Sequence, residues 1–202
     1  MGKRSPGQFE RKPRDFYPTP PEAIQPLLPH LRRRARFIEP CAGDGRLIGY
    51  LQEYGHICER AFDVEPQDPC IEEMDARHYR GEVSYHDRLF ITNPPWGRVV
   101  LHDLIISLSS VHPTWLLFDA DWMHTSQARR YLRRCRKIVC VGRLKWEQDS
   151  AHTGKDNSAW YLFTRDDWSY PPTFFGKAME TLPLFDAATD EELLGEASDD
   201  QS

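Results

Sequence analysis

Asn93-Pro94-Pro95-Trp96 is a stretch whose residue types could do chemistry together. The Asn93 side-chain oxygen and the Pro94 carbonyl can each accept a hydrogen bond from an amino group, and the Trp96 indole offers a flat face for stacking. Together they could grip a planar ring carrying an exocyclic amine, such as adenine. Two consecutive prolines lack N–H donors and have fixed φ angles, so they make a rigid corner. Upstream, carboxylates stand where a second, adenosine-like ligand could meet them. Glu39 and Asp44 bracket a small-residue turn, Cys41-Ala42-Gly43-Asp44-Gly45. Their charge repels a diphosphate and suits a ligand carrying an amine and hydroxyls. The turn is neither GxGxxG nor a P-loop. Asp63 lies 20 residues past Gly43, where a strand-ending carboxylate can accept both hydroxyls of an adenosine ribose. Asp75 could meet an adenine amine. His78, His86, His102, His112, His124 and His152 show no metal-type clustering, no Ser/His/Asp triad can be assembled, and no metal is expected.

These residues fall at the ends of elements. Leu89 to Thr92 reads as a buried strand that stops at the Asn93 corner, the edge where open α/β sheets bind ligands. Arg36 to Pro40 reads as the first strand, followed by the glycine turn and an amphipathic helix through Leu47, Ile48 and Leu51. Ile57 to Phe62 reads as the second strand. Val99 to Ser110 has helical apolar spacing, Trp115 to Asp119 reads as a strand, and Ser126 to Cys135 as a basic helix. Lys137 to Val141 and Ser158 to Phe163 follow as strands with no helix between. That order predicts a parallel sheet with an antiparallel hairpin at its end. Thr19 with Glu22 is a capping-box pattern with Pro20 at the first helical position, which predicts a short helix through Ile24, Leu27, Leu28 and Leu31. Residues 142–157 form a long polar loop, and long loops often carry function.

The 202 residues suit one domain. Three segments are expected: a disordered basic arm over 1–14, a domain over 15–176, and a C-terminal segment over 177–202 with an acidic, disordered tail. No run of about 18 apolar residues predicts a membrane span. The N-terminus lacks an apolar signal region, and the five cysteines show no CxxC spacing, so a reduced cytoplasmic protein without structural zinc is expected. Of the 31 acidic residues, seven lie in 186–202; the remaining 24 are outnumbered by 26 Lys and Arg. Basic residues cluster at Arg32, Arg33, Arg34 and Arg36, and at Arg129, Arg130, Arg133, Arg134, Arg136 and Lys137. Such patches fit phosphate backbones, or serve as a solubilising surface.

Phe16-Tyr17-Pro18-Thr19-Pro20, Ile38-Glu39-Pro40-Cys41-Ala42-Gly43-Asp44-Gly45, Asp63 and Asn93-Pro94-Pro95-Trp96 stand in the order found in a known family. Together they resemble the S-adenosylmethionine-dependent DNA adenine-N6 methyltransferases, especially the small phage and prophage type. The resemblance covers roughly residues 15–164. It implies a Rossmann-like class I methyltransferase fold, a mostly parallel seven-stranded sheet with an antiparallel last strand, and S-adenosylmethionine as cofactor. It further implies that Pro18, Thr19 and Pro20 lie over the methionine carboxylate. The Glu39 to Gly45 turn (Glu39, Pro40, Cys41, Ala42, Gly43, Asp44, Gly45) would cradle the methionine. Asp63 would hold the ribose and Asp75 the cofactor adenine, with Tyr17, Val64 and Ala76 among the cofactor-contacting positions. Asn93 and the Pro94 carbonyl would accept the hydrogens of a flipped adenine amine, with Pro95 fixing the corner and Trp96 stacked on the base. Lys145, Trp146, Lys155, Asn157 and Trp160, in and beside the long loop, would contact DNA.

Two features depart from the family. Its aromatic after Pro-Pro is commonly Tyr or Phe, and no segment beyond Thr164 is long enough for a target-recognition domain. Methyl transfer to RNA bases or protein glutamine stays an alternative acceptor, and a non-catalytic cofactor-binding regulator a third reading. The segment Met179-Glu180-Thr181-Leu182-Pro183-Leu184-Phe185 resembles the peptide that tethers DNA-processing proteins to a sliding clamp, through Leu182 to Phe185, but Met179 stands where a Gln is usual. Its other reading is a segment packing its leucines onto the domain.

Overall fold

The computed structural model describes residues 17–81, 88–146, 154–165 and 171–177. The basic arm, residues 147–153 of the long loop, the clamp-like segment Leu182–Phe185 and the acidic tail lie outside them. The strands are β1 (Arg36–Glu39), β2 (Ile57–Asp63), β3 (Glu72–Glu73), β4 (Arg88–Thr92), β5 (Thr114–Asp119), β6 (Cys135–Arg143), β7 (Asn157–Phe163) and β8 (Thr173–Phe175). They form one sheet in the order β3-β2-β1-β4-β5-β7-β6-β8. Every pairing is parallel except those of β7, which runs antiparallel between β5 and β6. The chain order reverses beside β1, whose neighbours are β2 and β4. A crevice therefore opens outside the carboxyl ends of β1 and β4.

The sheet has eight strands where seven were expected. The extra one, β8, joins the free edge of β6 in parallel, so the antiparallel strand is neither last in sequence nor at the sheet's edge. With two and three residues, β3 and β8 are too short to show a period-2 pattern.

Both faces of the sheet are covered, as strand alternation requires. In β5, Leu116 and Phe118 point to the core that holds α2 (Arg98–Ser109), while Trp115 and Leu117 point to the core that holds α1 (Arg46–Glu53). Leu101, Leu104, Ile105 and Leu108 of α2 pack on Phe90 and Leu116; Leu47 and Leu51 of α1 pack on Phe37 and Ile91.

Two expected helices are different. The capping box over Thr19 does not form. Pro20 is extended, no side chain caps the turn, and two short 3-10 turns follow at Pro21–Ala23 and Leu28–His30. Pro20 and Pro21 suit a first turn, but Pro26 and Pro29 remove two donors that an α-helix there would use. The basic helix Ser126–Cys135 shrinks to a 3-10 turn at Ser126–Ala128 and the single turn α3 (Arg129–Leu132). Cys135 is already in β6, so strand pairing with β7 overrides helix propensity.

Candidate active site

Glu39 ends β1 and is buried, 2% exposed, at the crevice. Its Oε2 finds no hydrogen-bond partner among the described residues. Burial pushes its carboxyl well above the usual range, and the nearby Asp44 and Asp63 add to the rise. The chain then turns through Gly43 (φ 53°) and Gly45 (φ 77°), backbone conformations that favour glycine. Asp63, at the end of β2, fastens this turn. Its Oδ2 accepts the Gly43 N–H at 2.9 Å and its Oδ1 the Glu65 N–H at 2.8 Å. Each carboxylate oxygen keeps a further lone pair for a ligand hydroxyl.

Asp75, expected to meet an adenine amine, lines the cavity and is paired with Arg77. The Arg77 guanidinium donates to both of its oxygens through Nε and Nη2, and the Arg77 N–H donates to Oδ1. The Arg77 hydrogen bonds hold the Asp75 carboxyl below its ordinary range. Arg77 lines the cavity and was missed in the sequence; its signal was the Asp-x-Arg spacing at a turn.

The amide corner begins where β4 ends. Asn93 Nδ2 donates to the Tyr17 carbonyl at 3.0 Å, and the Trp96 indole N–H donates to Asn93 Oδ1 at 3.3 Å. Tyr17 thus fixes the rotation of the amide, with one lone pair of Oδ1 left beyond the one that meets Trp96. Pro94 is buried, and half-buried Trp96 packs against the α2-side core. Trp146 meets Trp96 edge-on (centroids 5.4 Å, 88°) and Tyr17 edge-on at 6.4 Å. Three aromatic rings therefore stand together at this corner.

One cavity of about 440 Å³ gathers Tyr17, Thr19, the Glu39–Asp44 turn, Asp63, Val64, Asp75, Ala76, Asn93 and Pro95. Pro20, Gly45, Pro94 and Trp96 are outside its lining. Leu47, Val100 and Leu104 contribute apolar wall from α1 and α2, legible in the sequence only as helical core positions. Of the residues expected to touch DNA, Lys145, Lys155 and Asn157 are exposed and Trp146 is half-buried beside the corner. Trp160 is a correction: it is fully buried in the α1-side core and its indole N–H donates to the Ala23 carbonyl at 2.7 Å. Strand alternation in β7 turns it inward, away from any nucleic acid.

No protein-family model and no curated protein matches the sequence. Solved structures do match in fold. A provisionally described RNA methyltransferase from Pyrococcus horikoshii aligns at TM-score 0.47 and 16% identity, over 73% of this chain and 85% of that one. A TehB-like S-adenosylmethionine-dependent methyltransferase from Corynebacterium glutamicum aligns at 0.41 and 18%, over 72% and 88%. A protein provisionally described as the modification subunit of a type I restriction enzyme from Vibrio vulnificus aligns at 0.52 and 9%, over 83% and 48%. The fold is an α/β mixed, mostly parallel sheet that resembles the Rossmann-like fold of class I methyltransferases. The cavity sits at the carboxyl ends of β1, β2 and β4. The chain spans about half of the Vibrio subunit.

Proposed function

We propose that this chain is an S-adenosylmethionine-dependent methyltransferase acting on the exocyclic N6 amine of adenine in DNA. The observation that carries the reading is the pairing, in one cavity, of a buried carboxylate with one oxygen unpartnered among the described residues and an oriented amide at a proline corner. The residues fit the cofactor. Glu39 Oε2 would meet the methionine ammonium, Asp63 the ribose hydroxyls, and the Asp75–Arg77 pair the adenine edge. When bound, the cofactor supplies an electrophilic methyl group.

The acceptor side belongs to Asn93. Its Oδ1 takes one hydrogen of the target amine and the Pro94 carbonyl takes the other, which favours a pyramidal nitrogen with its lone pair turned to the cofactor side. That is positioning plus electrostatic stabilisation, and it needs no strong general base. A base inside a duplex cannot present its amine this way, so the adenine must leave the stack. Trp146 and Trp96 offer aromatic surface where it would arrive.

The test is transfer of labelled methyl from S-adenosylmethionine to unmethylated DNA, with RNA and total protein in parallel, followed by nucleoside mass spectrometry. N6-methyladenine in DNA is expected. Label only in RNA or protein would replace the acceptor, and cofactor binding without label anywhere would support a non-catalytic regulator. Asn93→Ala is expected to lower turnover by about 100-fold or more, with cofactor affinity by calorimetry unchanged. Near-normal turnover in that variant would sink the mechanism.

A further inference from the structure

The basic run over residues 129–137 has no role in the cavity. The structure divides it. Arg134 donates to the Ser109 and Ser110 hydroxyls, Arg136 to Thr164, and Lys137 sits over the Phe175 ring at 5.7 Å. Arg129, Arg130 and Arg133 face elsewhere. With Arg98 of α2 they line a groove of about 750 Å³ between α2 and α3.

We propose that this groove is the track for the sugar–phosphate backbone of the DNA strand that carries the target base. The inference rests on the DNA reading above and extends it to a surface outside the cavity. Four guanidiniums line the groove with one carboxylate, Asp103, and Arg98 is also paired with Asp119 from outside the lining. Guanidinium groups stay charged at any working pH and match phosphate geometry. The groove floor adds no competing charge. His102 Nε2 accepts the Trp122 indole N–H at 3.0 Å, so that nitrogen bears no proton, and the ring stacks on Tyr131 at 4.3 Å. Burial foremost, then Arg130 and Arg98, favours the neutral imidazole.

Position ties the groove to the corner. Arg98 comes five residues after Asn93, opens α2, and is held at the groove mouth by Asp119 at 3.3 Å. From there α2 runs about 18 Å along the flank at 1.5 Å per residue. A strand whose base sits at Asn93 therefore meets fixed positive charge as it leaves. A stable protein partner is a poorer fit, because interface cores are depleted of charge and enriched in Tyr, Trp and Phe, and the groove has four arginines and, of those three types, Tyr131 alone.

The experiment measures binding of the full chain to duplex and single-stranded DNA by fluorescence anisotropy across a KCl series. Arg129→Gln with Arg133→Gln is compared with Arg33→Gln plus Arg34→Gln, which removes the same charge from the turn before β1, at the opposite end of the sheet. Each lost phosphate contact lowers the slope of log K against log salt by about 0.9 on duplex and about 0.7 on single strands. The groove pair is expected to lower that slope by roughly 1.4 to 1.8, with cofactor affinity unchanged, and the control pair to leave it alone. Asp103→Asn should tighten binding, a gain that misfolding cannot produce. An unchanged slope in the groove pair, an equal loss in the control, or binding by the native chain to RNA or protein instead of DNA would each overturn the proposal. If the slope changes as expected but no N6-methyladenine forms, the groove stands and the reaction assigned above falls.

Discussion

Glu39 is the residue at which burial and binding pull in opposite directions. Its carboxyl is held above its ordinary range, foremost by removal from water. An unfolded chain would release this proton near the ordinary carboxyl range, while the folded chain keeps it to higher pH. Folding therefore takes up a proton, and stability falls as pH rises from the ordinary value through the raised one. A cation in the cavity would reverse the preference and expel the proton, so cofactor affinity should fall as pH drops below the raised value. Glu39→Gln is expected to raise the melting temperature of the ligand-free protein at neutral pH and to weaken S-adenosylmethionine binding. Differential scanning calorimetry and titration calorimetry read the two effects; a variant that melts lower and binds as tightly would contradict both. The positions of its neighbours were readable because spacing carries them: a carboxylate at a strand end, glycines at a turn, an amide before two prolines. The partners of those groups were not. Nothing in the sequence says that the Tyr17 carbonyl will hold the Asn93 amide, 76 positions away, or that the Trp96 indole N–H will point at Asn93 Oδ1.

At the scale of elements, the β6–β7 hairpin brings Trp146 to the corner at Trp96 and Tyr17. The hairpin is pinned at its base, where the Gly154 N–H donates to the Leu144 carbonyl at 2.8 Å. A Cβ on Gly154 would stand 3.0 Å from that carbonyl oxygen and 3.1 Å from Trp146 Cδ1. The carbonyl belongs to backbone and cannot swing aside, so Gly154→Ala should shift the loop and move Trp146 off the corner. The neighbours must give by a few tenths of an ångström, a fraction of the roughly 1 Å misplacement that can cost about 100-fold in rate. The expected outcome is a clear loss of kcat/KM for the acceptor with cofactor affinity intact; unchanged kinetics would remove Trp146 from the site. Elements were legible in the sequence where a buried face repeats, as in α2 and β5. They were not legible where tertiary pairing decides, as in residues 126–135, whose helical spacing gives way to strand β6. Trp160 shows the same limit at one position, since its place in β7 sets its direction and loop proximity misled.

At the scale of the whole molecule, the strand order around β1 and the crevice beside it follow from alternating strands and helices, which the sequence displays openly. The eighth strand does not, because three residues at a sheet edge carry no pattern of their own. Among the described residues no helix is long and apolar enough to cross a membrane. β8 also sets where the described residues stop. It runs parallel to β6, and the Lys177 side chain comes within 3.6 Å of where a Cβ on Gly142 would lie, at the carboxyl end of β6 and on the pocket side of the sheet. The chain ties the seven acidic residues of 186–202 to this end of the sheet, which under the DNA reading proposed above receives a polyanion. A leashed competitor acts at an effective concentration on the order of millimolar, whatever the concentration of the protein. Ending the chain after Lys177 should therefore raise DNA affinity at low salt, with the difference fading as salt screens both partners. Equal affinities at low salt would show that the leash does not reach. If it does reach, DNA must displace an internal rival before it can dock, and weak, non-specific contacts are rejected first.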